Sequence, residues 1–406
     1  MELPRRHFLR WLAASPILAS AGGLAAFTEV IDREPNRRVF DDLVSSAEKA
    51  LDVFDLERVA AQKVPTAHWG YLQTDVDGGT TLANNREGLR RIYLRARRLI
   101  DVSELDTSVN LFGRQWASPL MLAPASSQRA FHAAGELATA RAAAANGSLM
   151  TLATPSSTTV EAVIKARGEP VWFQLYPPAR WEDTVKLITR TRAAGCPVIV
   201  LTVDLYGGTN RLTAERYKRS DKRDCDSCHI EGGAADPVKP MLRGFQQAPV
   251  AEARVSRRAI TWDYVNRLRD VTDQKIIVKG LVTREDAELA AQNGIDAIWV
   301  SNHGGRAEDS GRATIDALPE IHEAIAGRMP IIVDSGFRRG SDLFKGIARG
   351  ATAVAIGRPY LWGLGAFGQE GVDRVLNILT RELEITMGAA GTPSLASIGP
   401  HSIGTQ

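Results

Sequence analysis

The sequence predicts one α/β domain, a (β/α)8 TIM barrel with an N-terminal helical extension and a long loop after strand four. Three observations carry that prediction. Eight apolar runs of strand length follow one another at 119–123, 149–153, 171–176, 198–203, 276–279, 297–301, 330–333 and 353–356. Helical patterns separate most of them, as at 135–146, 181–194, 284–293 and 342–349. Polar residues also collect where five of the runs end, namely Gln174 and Tyr176, Thr202 and Asp204, Lys279, Ser301 and His303, and Asp334. Packing alone does not ask for polar groups there, whereas barrel enzymes place their chemistry at those ends. A doubly wound sheet is the alternative, but no G-x-G-x-x-G fingerprint follows the first run.

The elements can be taken in order. The chain has 406 residues, 44% hydrophobic and 24% charged, enough for one large core. Residues 1–21 carry Arg5, Arg6 and Arg10 against Glu2, so they hold +2 of the formal net charge of +3. The remaining body is nearly neutral and gives no reason to invoke nucleic acid. Arg5-Arg6 precedes an uncharged stretch from Trp11 to Phe27 with small residues at Ala19-Ser20-Ala21. This reads as a twin-arginine export signal over 1–21, placing the mature protein in the periplasm or cell envelope of a bacterium. Beyond it no apolar run is long enough to span a bilayer. A linker over 22–38 follows. Phe40, Leu43, Ala47, Leu51 and Phe54 then fall at helical spacing, which predicts an amphipathic helix over 39–61. The barrel is expected over 39–398, interrupted by a long mobile loop at 212–258, with 399–406 as a tail.

The chemistry concentrates after runs six to eight. His303-Gly304-Gly305-Arg306 puts an imidazole and a guanidinium three residues apart, just past the apolar run 297–301. A neutral imidazole accepts a proton, and a guanidinium holds a carboxylate with two parallel hydrogen bonds. The pair suits proton abstraction from a substrate carrying its own carboxylate. Asp334-Ser335-Gly336-Phe337-Arg338-Arg339-Gly340 and Gly357-Arg358-Pro359 follow runs seven and eight, where barrels present backbone N–H groups and arginines to a phosphate.

These motifs, with Phe173-Gln174-Leu175-Tyr176, Leu201-Thr202-Val203-Asp204 and Val278-Lys279-Gly280, stand in a characteristic order and spacing. On them the chain, over about residues 40 to 398, resembles the FMN-dependent 2-hydroxy acid oxidases and dehydrogenases. That family includes glycolate oxidase, lactate oxidase, mandelate dehydrogenase and the flavin domain of yeast lactate dehydrogenase. The resemblance implies oxidation of an (S)-2-hydroxy acid to a 2-oxo acid with FMN as cofactor, and a homo-oligomer. It implies His303 as base and Asp204 as the carboxylate that orients it. Arg306, Arg211 and Tyr71 become the substrate-carboxylate ligands, and Tyr176 the partner of the 2-oxygen. Ala123-Pro124-Ala125 would pack on the flavin and Lys279 would face its N1 and O2 edge. Gln174, Thr202 and Ser301 would touch the flavin edge or ribityl chain, with Asp334, Gly336, Arg338, Gly357 and Arg358 on the ribityl and phosphate.

The chain departs from that family at several positions. Ser126 stands where Ala or Gly is usual, near where oxygen meets the reduced ring, so oxygen, a quinone or a cytochrome stays open as acceptor. Ala153 replaces a usual Ser. Pro155 falls where glycolate oxidase has Trp, and Gly207-Gly208 replaces bulkier residues, which widens the pocket and points to lactate, mandelate or a longer acid. Cys225-Asp226-Ser227-Cys228-His229 spells a c-type haem attachment signature, yet a disulfide or free thiols suit the loop's length and compartment better. No metal site is expected, and Cys196 reads as a buried free thiol. Two other functions compete. One is an FMN barrel doing isomerisation; the other is an envelope flavin-binding electron carrier without turnover.

Overall fold

The structure, a computed structural model, describes residues 43–205, 208–223, 239–245 and 258–406. All elements below belong to the unit Ser45–Gln406. Three helices come first, α1 (Val53–Lys63), α2 (Thr66–Gln73) and α3 (Thr80–Arg90). The helix expected over 39–61 begins only at Val53. Asp52 accepts hydrogen bonds from the backbone N–H of Phe54 and Asp55, and Asp55 returns the bond, a capping box that starts the helix there. Residues 39–42 lie outside the described residues.

Strand β1 (Ile92–Leu94) leads to a hairpin of β2 (Val109–Leu111) and β3 (Arg114–Trp116). Its turn residues Phe112 and Gly113 both have positive φ, +53° and +80°, the backbone that tight hairpins need. The barrel strands then run β4 (Leu120–Leu122), β5 (Leu149–Ala153), β6 (Trp172–Leu175), β7 (Val198–Thr202), β8 (Lys275–Leu281), β9 (Ala297–Val300), β10 (Ile331–Val333) and β11 (Ala353–Ile356). They are parallel and pair in sequence order, and β11 closes the circle on β4 through Val354↔Leu120 and Ile356↔Leu122. Every residue of β5, β6, β7, β9 and β11 is buried, because side chains fill the interior and helices cover the outside. Leu111 and Trp116 of the hairpin join Met121, Leu149, Trp172 and Val198 in one apolar cluster, so the hairpin plugs the amino-terminal end.

The outer helices are α4 (Gly135–Ala145), α5 (Val160–Arg167), α6 (Trp181–Ala193), α7 (Leu212–Ser220), α8 (Trp262–Arg269), α9 (Arg284–Gln292), α10 (Thr314–Ile325), α11 (Gly340–Ala348) and α12 (Arg358–Ala390). The last is two helices joined across a kink at Phe367 and Gly368. The interval expected as a loop from 212 therefore opens with a helix. Helix α7 buries no residue, and Glu215, Arg216, Lys218 and Arg219 make it read as polar loop. Residues 399–406, expected as a tail, end in β12 (Ile403–Thr405), which pairs antiparallel with β1. Among the described residues no helix is long and apolar enough to cross a membrane. The 1–21 segment, the 22–38 linker, Gly207, Cys225, Cys228 and His229 lie outside the described residues. Cys196 is buried, free among the described residues, and burial pushes its thiol up to about 12.

Candidate active site

Residues at the carboxyl-terminal ends of the strands converge on one cleft of about 220 Å³. His303 sits in the turn after β9 with φ +58°, a backbone unusual for a residue with a side chain. Several bonds pin it there. Its backbone N–H donates to Ser301 Oγ at 3.1 Å, and the next turn is braced by a reciprocal pair between Asn302 and Asn85 of α3, at 2.8 and 2.9 Å. Helix α3 comes so close that a Cβ on Gly305 would lie 2.6 Å from Leu82 backbone.

Asp204, after β7, accepts a hydrogen bond from His303 Nδ1–H at 2.9 Å. That bond fixes the tautomer and leaves Nε2 facing the cleft as acceptor, 3.5 Å from the Tyr176 hydroxyl. Burial, aided by the charges of Lys279 and Arg306, holds the imidazole below its usual pKa, with Asp204 opposing. For Asp204 itself burial raises the pKa, but His303 and Lys279 outweigh it and the net shift is downward. The site is thus a neutral base backed by an ionised carboxylate.

Lys279 is aimed by a bulge in β8. The register shifts between Lys279 and Leu281, and the residue between them, Gly280, has φ +113° with its Cβ position 2.7 Å from Asp204 Cβ. Lys279 Nζ donates to Ser301 Oγ at 2.7 Å and lies 3.6 Å from Asp204 and 3.5 Å from Asp334. Asp334 accepts from Ser301 and Ser335 on one oxygen and from the Trp299 indole on the other. Ser301 is engaged within this network, directly behind the residues that line the cleft. Asp334 lines the cleft, yet both its oxygens are engaged.

The cationic wall is built from three elements. Arg306 is buried, donates to Tyr71 O at 2.6 Å and lies 4.5 Å over the Tyr71 ring. Arg211, just before α7, donates to Arg306 O at 3.2 Å, and its Nε is buried without a partner among the described residues. Arg358 donates to the carbonyls of Leu72, Thr74 and Gly304, tying α2 to the His303 turn.

The residues fit FMN. Gln174 Nε2 and Thr202 Oγ1 are buried, lack partners among the described residues and belong to residues lining the cleft, as polar edges awaiting a heterocycle would. Ala123, Pro124 and Ala125 give an apolar wall beside them. Gly336 (φ +96°), Arg338, Arg358 and Gly357 at the start of α12 also line the cleft, a set of cations and backbone N–H groups that would suit a phosphate at a helix N-terminus. Burial lowers both guanidinium pKa values, Arg338 to about 10, as expected for cations that need an anion beside them.

All expected site residues except Asp204 and Ser301 among those described line this cleft, and these two stand directly behind His303 and Lys279. Sequence reasoning missed Asn85, Trp299 and Ser335, which hold the others in place. It also missed Glu136, a buried carboxylate accepting from Gln128, Ser157 and Thr158 that ties the loop after β4 to the loop after β5. Only polar residues within apolar runs could have signalled them.

The profile of the FMN-dependent dehydrogenases matches residues 60–405. The chain is 36% identical over 360 residues to a peroxisomal (S)-2-hydroxyacid oxidase of Arabidopsis thaliana, covering 88% of this chain and 98% of that one. It is 35% identical to an L-lactate oxidase of Lysinibacillus sphaericus, covering 85% and 90%. Among solved structures it resembles mandelate oxidase with (S)-2-phenylpropionate, TM-score 0.77 and 34% identity over 88% of this chain and 99% of that one. This chain belongs to the FMN-dependent dehydrogenase family, flavoenzymes that oxidise 2-hydroxy acids at the CH–OH group.

Proposed function

We propose that this chain is an exported enzyme that oxidises an (S)-2-hydroxy acid larger than glycolate, such as lactate, mandelate or a longer acid, and passes the electrons to oxygen or a respiratory acceptor. The observation that carries the reaction is the His303–Asp204 pair at 2.9 Å, facing Tyr176 and flanked by Arg306 and Arg211. Bound FMN supplies the two-electron oxidant. Arg306 keeps donors free beyond the one spent on Tyr71 O, and with Arg211 and Tyr71 it would hold the substrate carboxylate. Tyr176 would orient the 2-hydroxyl toward His303 Nε2, which takes a proton as the alcohol becomes a ketone. Asp204 stabilises the imidazolium so formed. Lys279, beside Gln174 and Thr202, would place a cation at the flavin edge, held by Ser301 and Asp334.

The size preference is supported by the wall opposite the arginines. Pro155 lines the cleft with a small ring. Export is supported by Arg5-Arg6 ahead of the uncharged stretch 11–27. Anaerobic flavin reduction by glycolate, lactate and mandelate tests the substrate reading. Reduction should be fastest with the larger acids, and glycolate as the best substrate would sink it. Reoxidation of the reduced enzyme with oxygen against a quinone then separates the acceptors.

A further inference from the structure

A second cavity of about 360 Å³ lies next to the catalytic cleft. We propose that this chamber receives the distal chain of an extended, linear 2-hydroxy acid, which passes between Tyr71 and Ser126. The proposal rests on the hydroxy acid reading above and adds a subsite to it.

Three side chains, Tyr71, Ser126 and Phe131, line both cavities. Tyr71 and Ser126 meet through one contact, Tyr71 Oη to Ser126 Oγ at 3.3 Å, longer than a normal O–H···O bond. Rotation of the Ser126 hydroxymethyl group gives up that one weak bond and widens the partition, with Phe131 as its apolar edge. A carboxylate clamped by Arg306, Arg211 and Tyr71 leaves the rest of the substrate beside this partition.

The chamber is built, because its walls are locked. Helices α2 and α7 pack so tightly that a Cβ on Gly70 would lie 2.1 Å from Tyr217 Cβ. Backbone bonds reinforce the contact, Ala67 N–H to Asp221 at 2.9 Å and Ala214 N–H to Thr74 Oγ1 at 3.2 Å. The third wall, the loop after β4, is held by Ser127 N–H on Pro155 O at 3.2 Å. Ala67, Ala130, Phe131 and Ala214 give the chamber an apolar wall that suits a methylene chain, while His68, Glu215 and Lys218 add polar groups to its lining.

The test fills the chamber from its outer wall. Anaerobic flavin reduction is measured with lactate, mandelate and 2-hydroxyoctanoate on the intact holoenzyme and on Ala214→Trp, with Ala214→Leu as a milder filling should the first fail to fold. The intact enzyme should favour 2-hydroxyoctanoate over lactate by about tenfold or more in rate over dissociation constant, from burial of several methylenes. The variant should lose that advantage while its lactate reaction and FMN content stay unchanged. An unchanged octanoate-to-lactate ratio in a filled, FMN-replete variant overturns the proposal. So does slowed reoxidation by oxygen with reduction unaltered, which would make the chamber an acceptor route. Mandelate preferred over both other acids overturns the chamber yet keeps the preference for large substrates, whereas glycolate preferred over all would remove both.

Discussion

At the scale of single residues, His303 carries the heaviest demand, since its backbone is held at φ +58° to point Nε2 into the cleft. His303→Ala should keep FMN, because the phosphate and flavin-edge groups lie on other loops, and should slow flavin reduction by roughly 10²- to 10⁴-fold. Near-normal reduction would place the base elsewhere. The pH dependence follows from burial. Catalysis needs the neutral imidazole, and the His303 pKa lies below the usual value of 6.5, so the acidic limb of kcat/KM should fall below that pH. In Asp204→Asn the one charge opposing this lowering is gone. The limb should then move to still lower pH, while the plateau rate drops because the imidazolium has lost its counter-charge; an upward shift would contradict the pairing. Arg306→Lys should raise KM, since a point-like ammonium cannot reproduce a two-pronged clamp and also loses the bond to Tyr71 O. Parental kinetics in that variant would move the carboxylate to other residues.

At the scale of elements, the turn after β9 works because α3 presses on it. Gly305 (φ +72°) meets Leu82 backbone at 2.6 Å from its Cβ position, whereas Gly168 (φ +79°) at the end of α5 faces open space. Gly168→Ala should therefore cost only the backbone term, about 1 kcal/mol. Gly305→Ala should add a steric shift of the His303 turn, for a total of about 2–4 kcal/mol and a loss of kcat. Thermal melts of the two variants decide it, and equal losses would refute the bracing role of α3. The same contrast explains what the sequence disclosed. Barrel strands were legible because burial on both faces makes them continuous apolar runs, and the site motifs because each stands within a few residues of a strand end. Helix α7 was not, since its charged residues and lack of burial make it read as polar loop. The start of α1 was misplaced because the Asp52–Asp55 capping box overrode an apolar spacing that continued upstream. Arg358 was read as a phosphate ligand from its glycine neighbour, but its three bonds to carbonyls 54 to 286 residues away have no local signature.

At the scale of the whole molecule, closure of the barrel joins the two ends of the chain. Strand β11 must pair with β4 before the barrel exists, and β12 must return to β1. The cleft draws residues from Tyr71 to Leu361, so FMN has no complete site until nearly the whole chain has folded. A protein of this kind that works outside the cytoplasm has reason to be loaded first and exported folded, which is what Arg5-Arg6 suggests. In a bacterium with a twin-arginine route, the full chain should accumulate in the envelope fraction as a yellow holoprotein. Arg5→Lys with Arg6→Lys should hold it in the cytoplasm with FMN content and hydroxy acid oxidation intact, because the cleft among the described residues is lined only by residues from Tyr71 onward. Cell fractionation with a flavin assay on each fraction reads the result. If the parent and the double variant distribute alike, the amino-terminal segment is no export signal, and the enzyme's place in the cell must be sought apart from it.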